Sequence, residues 1–164
     1  MLTLGIDPGT AICGYGFVEN LNGSISAKNF GAITTDKKMR MQDRLLKIYN
    51  ELSNLIKIFQ PEVIGVEKLF FGKNSTTAIS VGQARGIILL CAAQNNIDLV
   101  EISPNEVKMS ITGYGGAKKN QVIYMVTKIL NLPEPPKFDD TADALAIAIA
   151  ASYEANNFAR RNFF

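Results

Sequence analysis

Apolar and polar residues alternate over residues 2–7, with Leu2, Leu4 and Ile6 on one face and Thr3, Gly5 and Asp7 on the other, the two-residue period of a β-strand. Residues 12–19 and 25–34 have the same character and are joined through the turn Leu21-Asn22-Gly23-Ser24, so the opening predicts three antiparallel strands. The rhythm then changes. Leu45, Ile48, Tyr49, Leu52, Leu55, Ile56 and Phe59 recur at three- and four-residue steps across 41–60, which predicts an amphipathic helix closed by Pro61. Residues 63–67 are nearly continuously apolar until Glu67, as in a strand buried on both faces of a parallel arrangement. A helix over 75–94 and a strand over 97–102 follow, then a helix with Ser103 as N-cap and Pro104 at its first position. Gly113-Tyr114-Gly115-Gly116 breaks the chain before a helix over 118–130. Leu132-Pro-Glu-Pro-Pro136 stops that helix, and Asp139 or Asp140 opens a last one through Tyr153.

A strand, a helical crossover and a parallel strand connect with right-handed geometry, which puts the fourth strand beside the first. The expected fold is α/β, a mixed five-stranded sheet with helices on both faces, in a single domain over residues 1–155. Residues 156–164 read as a flexible tail. A chain of 164 residues buries roughly 70 % of the surface its unfolded form exposes and needs no disulfide or metal to fold. The longest apolar runs, 87–93 and 144–152, fall short of the ~20 residues a membrane span requires. The first residues carry no basic segment ahead of an apolar stretch, and a cytoplasmic location is expected.

Composition narrows the chemistry. There is no histidine, which excludes Ser/His triads, Cys/His pairs and His-based zinc sites. Cys13 and Cys91 stand apart and read as small core residues. Seventeen Lys and Arg against fifteen Asp and Glu give a net charge of only +2. If Asp7, Glu67, Asp140 and Asp143 are gathered into one site, the remainder is basic, a field suited to a polyanion whose phosphate is attacked at a local acidic centre.

Asp7 and Glu67 end two strands expected to be parallel neighbours, so both carboxylates reach the same edge of the sheet, where open α/β sheets bind ligands. Asp140 and Asp143 are three apart and share one face of a first helical turn. Four carboxylates of this kind suit two hard cations held ~3.5–4 Å apart for phosphoryl transfer. Oxygen ligands alone favour Mg²⁺ or Mn²⁺ over softer metals, two per active site. Each piece alone has an ordinary explanation: Asp7-Pro8-Gly9 opens a turn, and Asp139-Asp140-Thr141-Ala142-Asp143 suits any helix N-terminus. Together they are harder to dismiss, because Asp7 and Glu67 follow core-forming runs where an unpaired charge is costly.

Several separated motifs, Leu4-Gly-Ile-Asp-Pro-Gly-Thr10 with Gly14-Tyr-Gly16, Val66-Glu-Lys-Leu-Phe-Phe-Gly-Lys-Asn74, Val81-Gly-Gln-Ala-Arg-Gly86 and Asp140-Thr-Ala-Asp-Ala-Leu-Ala-Ile-Ala148, resemble those of the RuvC family of bacterial Holliday junction resolvases. The likeness runs over nearly the whole chain. It implies a ribonuclease H-like fold, a homodimer, and Mg²⁺-dependent paired nicking of four-way junction DNA in recombination and repair, in cooperation with the RuvA and RuvB branch-migration proteins. It makes Asp7, Glu67, Asp140 and Asp143 the metal ligands, with Asp7 bridging both ions; some relatives carry histidine where this chain has Asp140. Lys119 matches a lysine near the scissile phosphate, where an ammonium offsets charge growing in the transition state. Lys108 matches another, and Lys118 is an additional neighbour. The resemblance selects Phe70 rather than Phe71 as the aromatic that stacks on an unpaired base at the crossover, with Lys73 and Asn74 on nearby phosphate.

Gly82 and Gly86, four apart, permit close approach of two helices, and the resemblance puts the dimer interface there. The alternative is packing of that helix on its own sheet. Three other functions compete with this one: a kinase-like phosphate loop at residues 4–10, a nuclease acting on ribosomal RNA precursors, and a junction-binding module without catalysis. The absence of a second phosphate loop disfavours the first, the length and the run Glu67-Lys-Leu-Phe70 the second, and the four carboxylates the third.

Overall fold

The computed structural model describes the backbone of residues 1–68 and 75–161, and the side chains of all of these except 75–77 and 157–161. Strands β1 (Leu2–Asp7), β2 (Ile12–Leu21) and β3 (Ser24–Thr34) form an antiparallel meander, and helix α1 (Met41–Phe59) crosses to β4 (Val63–Glu67). Then come α2 (Ser75–Gln94), β5 (Asp98–Ile102), α3 (Pro104–Thr112), α4 (Lys119–Ile129) and α5 (Asp139–Arg161). The sheet order is β3-β2-β1-β4-β5, with β4 parallel to both β1 and β5, as the helical crossovers through α1 and α2 allow. Ile6 lies opposite Val66, so Asp7 and Glu67 leave the sheet side by side, one residue later. Ser103 caps α3 as expected: its Oγ accepts the Glu106 N–H (3.3 Å), while its own N–H donates to Glu106 Oε2 (2.7 Å).

Both faces of the sheet carry a core. Leu4, Ile6, Phe17, Ile64 and Ile88 pack with Ile48, Leu52 and Ile56 of α1 on one face. On the other, Val18 and Ile102 pack with Val107, Val122, Val126, Leu145 and Ile149 from α3, α4 and α5. Helix α5 is buried all round from Ala144 to Ser152, the condition of a helix enclosed by the sheet and two further helices. It lies directly against β1, β2 and β4 because those strands present glycine to it. A Cβ on Gly5 would collide with the Ala144 carbonyl oxygen, and one on Gly14 with the Asp140 carbonyl oxygen. This close approach carries the first turn of α5 over the ends of β1 and β4.

Helix α5 continues past residue 155 to Arg161, so part of the segment read as a tail is helical. No Gly or Pro interrupts it after Asp139, and extending a formed helix costs far less than nucleating one. Strand β2 likewise runs two residues past its expected end, to Leu21. Cys13 and Cys91 are free and buried, and burial pushes the Cys13 thiol up to about 12, as suits an inert core residue. Among the described residues no helix is long and apolar enough to cross a membrane.

Candidate active site

A cleft of about 280 Å³ opens at the carboxyl ends of β1 and β4. Asp7 and Glu67 enter it from the sheet, Asp143 from the first turn of α5, Lys108 from α3 and Lys119 from the start of α4. Val107, Val122, Ala146 and Ile147 form its apolar wall. Two strand ends and three helices therefore meet at one point, which is why residues scattered over the chain become neighbours.

The electrostatics follow from burial and like charge. Burial, then the charges of Asp143, Asp140 and Glu67, raise the Asp7 carboxyl to about 7, with Lys119 opposing. Glu67 is raised by burial and by Asp143, and Lys108 opposes the shift. Burial also raises Asp143, against the hydrogen bond it accepts from Lys119. Lys119 Nζ lies 3.0 Å from Asp143 Oδ2 and 3.3 Å from Asp139 Oδ2. Partial burial opposes the Lys119 charge, but these two carboxylates outweigh it and hold the ammonium above its usual range.

With the side chains as they stand, no three carboxylates among the described residues are gathered tightly enough to enclose one ion. Asp143 is instead turned to Lys119. The donor set itself fits a hard divalent cation: it offers only carboxylate oxygens, and Asp7 is held near 7 in a field that favours positive charge.

The family model of the crossover junction endodeoxyribonuclease RuvC matches residues 3–151. The chain belongs to the RuvC family. It is 50% identical over 150 residues to the crossover junction endodeoxyribonuclease RuvC of Caldicellulosiruptor saccharolyticus, covering 91% of this chain and 90% of that protein. Against the RuvC of Ruminiclostridium cellulolyticum it is 52% identical over 149 residues, with 91% and 90% covered. Its structure is similar to that of T. thermophilus RuvC in complex with a Holliday junction substrate, with a TM-score of 0.89, 31% identity and 94% of each chain covered. The fold is thus ribonuclease H-like, as the resemblance implied.

Of the RuvC-type residues expected from sequence, Asp7, Glu67, Asp143, Lys108 and Lys119 share the cleft. Asp140 does not line it, yet stands close enough for its charge to raise Asp7. Lys118 is exposed at the N-cap of α4, where its N–H donates to Gln121 Oε1 (2.8 Å). Phe70, Lys73 and Asn74 lie outside the described residues. Gly82 and Gly86 do not pack on the sheet: a Cβ on either would meet nothing within 4 Å. Asp139, which the sequence offers only as a helix opener beside Asp140, is in space the second carboxylate on Lys119. Sequence reasoning also passed over Gly5 and Gly14. Their signal was glycine in buried strands matched by alanines at 142, 144, 146 and 148 of a later helix.

Proposed function

We propose that this chain is a divalent-metal-dependent endodeoxyribonuclease that resolves four-way DNA junctions by paired, symmetric nicks, leaving 5′ phosphate and 3′ hydroxyl ends. The observation that carries this reading is the meeting of Asp7, Glu67 and Asp143 with Lys108 and Lys119 in one cleft, within the charge field of Asp140.

Asp7, Glu67, Asp140 and Asp143 would hold two Mg²⁺ ions, for which Mn²⁺ would substitute. Bound there, the ions supply an activated water for in-line attack and countercharge for the leaving 3′ oxygen. Asp7, whose carboxyl feels the charges of Asp143, Asp140 and Glu67, would serve both ions. Lys119, paired with Asp143, would meet negative charge growing on the phosphate. Lys108, in the same cleft, offsets the charge of Glu67. The apolar wall limits water around the reacting phosphate and strengthens each of these charges. On the same reading Phe70 stacks at the crossover, and Lys73, Asn74 and Lys118 contact phosphate.

Resolution of a two-fold substrate asks for two such sites, and we include a homodimer across α2. Ile79, Leu89 and Leu90 are exposed on that helix, around the open surface at Gly82 and Gly86. Family likeness supplies RuvA and RuvB as working partners.

Replacing each carboxylate in turn by its amide tests the site. Asp7→Asn, Glu67→Gln, Asp140→Asn and Asp143→Asn should each lower single-turnover junction cleavage at least about 10²-fold, as loss of a preorganised charge does. Junction binding should stay within a few-fold of the native protein. An Asp143→Asn protein that cuts at the native rate would remove α5 from the chemistry.

A further inference from the structure

A second cavity, of about 590 Å³, lies beside the catalytic cleft and shares α4 with it. Lys119 and Val122 face the cleft, whereas Asn120, Gln121 and Tyr124 line the second cavity with Thr112 and Tyr114 of the preceding segment. The two are therefore no more than about one helix diameter, ~10 Å, apart. We propose that this cavity is a nucleotide subsite, in which the rings of Tyr114 and Tyr124 take up a DNA base left unpaired next to the scissile phosphate. This rests on the junction-nuclease reading above and extends it to residues outside the carboxylate cleft.

The rings are available and one is held in place. Tyr114 and Tyr124 are 66% and 60% exposed, a large share for aromatic side chains, although Lys128 already stands over the Tyr124 ring. The Tyr114 N–H donates to Thr112 Oγ1 (3.2 Å), and its carbonyl accepts the Ala117 N–H (3.1 Å), closing a tight turn. Its ring lies over Gly116, where a Cβ would stand 2.6 Å from the Tyr114 hydroxyl. Gln121 Oε1 is engaged by the Lys118 N–H, which leaves its amide N–H groups as donors toward an acceptor-rich ligand.

Charge selects the occupant. From Val107 to Pro133 the chain carries Lys108, Lys118, Lys119 and Lys128 and no acidic residue, and Lys128 Nζ sits 5.6 Å from the centre of the Tyr124 ring. A cavity of similar size, about 570 Å³, lies between β5, α3 and α5, but its lining sets Glu101, Glu106 and Glu154 against the one cation Lys68, a net negative charge that disfavours phosphate. Aromatic faces and amide donors, on a segment that carries lysines and no carboxylate of its own, are what a nucleic-acid strand near a scissile phosphate requires.

The test is the affinity of the native protein for a synthetic four-way junction and for linear duplex, without divalent cations and across a salt series, beside Tyr114→Ala, Tyr124→Ala and the two Phe variants. Each Ala variant should bind the junction about tenfold more weakly at every salt concentration, with the native salt slope, since a stacked ring releases no counterions. The Phe variants should bind as the native protein does, and all four should melt at the native temperature. Ala variants that bind like the native protein, or Phe variants as weak as the Ala ones, overturn the subsite alone. A native protein that does not prefer junction to duplex overturns the reading on which it rests.

Discussion

Asp7 occupies the last position of a central strand, where burial and three neighbouring carboxylates hold its carboxyl near 7 against an ordinary value of 3.8. The native protein without divalent cations thus keeps a proton, between roughly pH 4 and 7, that the unfolded chain releases, and its stability falls as pH rises through that window. Asp7→Asn removes the charge at nearly constant shape. In EDTA at pH 8 it should raise the melting temperature by about 4–8 °C, for about 2 kcal/mol in a chain of this length, and at pH 4 the difference should vanish. Added Mg²⁺ should stabilise the native protein more than the variant; equal melting temperatures at pH 8 would show that the carboxylate is not strained there. Asp7 and Glu67 were legible in the sequence because each closes an apolar run, a place where a charge needs a reason. Asp139 was not, because what it does depends on Lys119, twenty residues earlier and adjacent only in space.

At the scale of elements, the site exists because α5 rests on glycine. Ala in place of Gly5 would drive a methyl into the helix backbone at Ala144, which cannot yield as a side-chain tip can. Gly5→Ala should therefore cost at least about 2 kcal/mol in urea unfolding and displace Asp143 enough to slow cleavage. Gly86→Ala, on an open helical surface, should be neutral or stabilising by up to about 1 kcal/mol. A native-like unfolding midpoint for Gly5→Ala would contradict the described contact between α5 and β1. The strands and helices themselves were readable from period and punctuation: β1 and β4 have the expected bounds, and α3 has the expected cap. The continuation of α5 was not, since Ala155-Asn156-Asn157 reads as polar and weakly helical until a long helix already leads into it.

For the whole molecule, sheet order was legible because handedness leaves few choices once three antiparallel strands and a crossover are in place. Which face of α2 is open was not, because that helix is apolar on all sides and its pattern names no inner face. The exposed Ile79, Leu89 and Leu90 and the unfilled surface at Gly82 and Gly86 settle the direction. Gly86→Glu should leave the melting curve of the fold in place and shift sedimentation from dimer to monomer. It should also abolish paired nicking while sparing single nicks. A native protein that sediments as a monomer at micromolar concentration would remove the dimer.

The most direct measurement is cleavage of a synthetic four-way junction by the native protein, with linear duplex as control, in Mg²⁺ and in EDTA. Paired nicks in opposing strands, ligatable without further processing, confined to the junction and absent in EDTA, are the predicted result. A junction that is bound but left intact in both Mg²⁺ and Mn²⁺, or duplex cut as readily as the junction, would contradict a junction resolvase built on these four carboxylates.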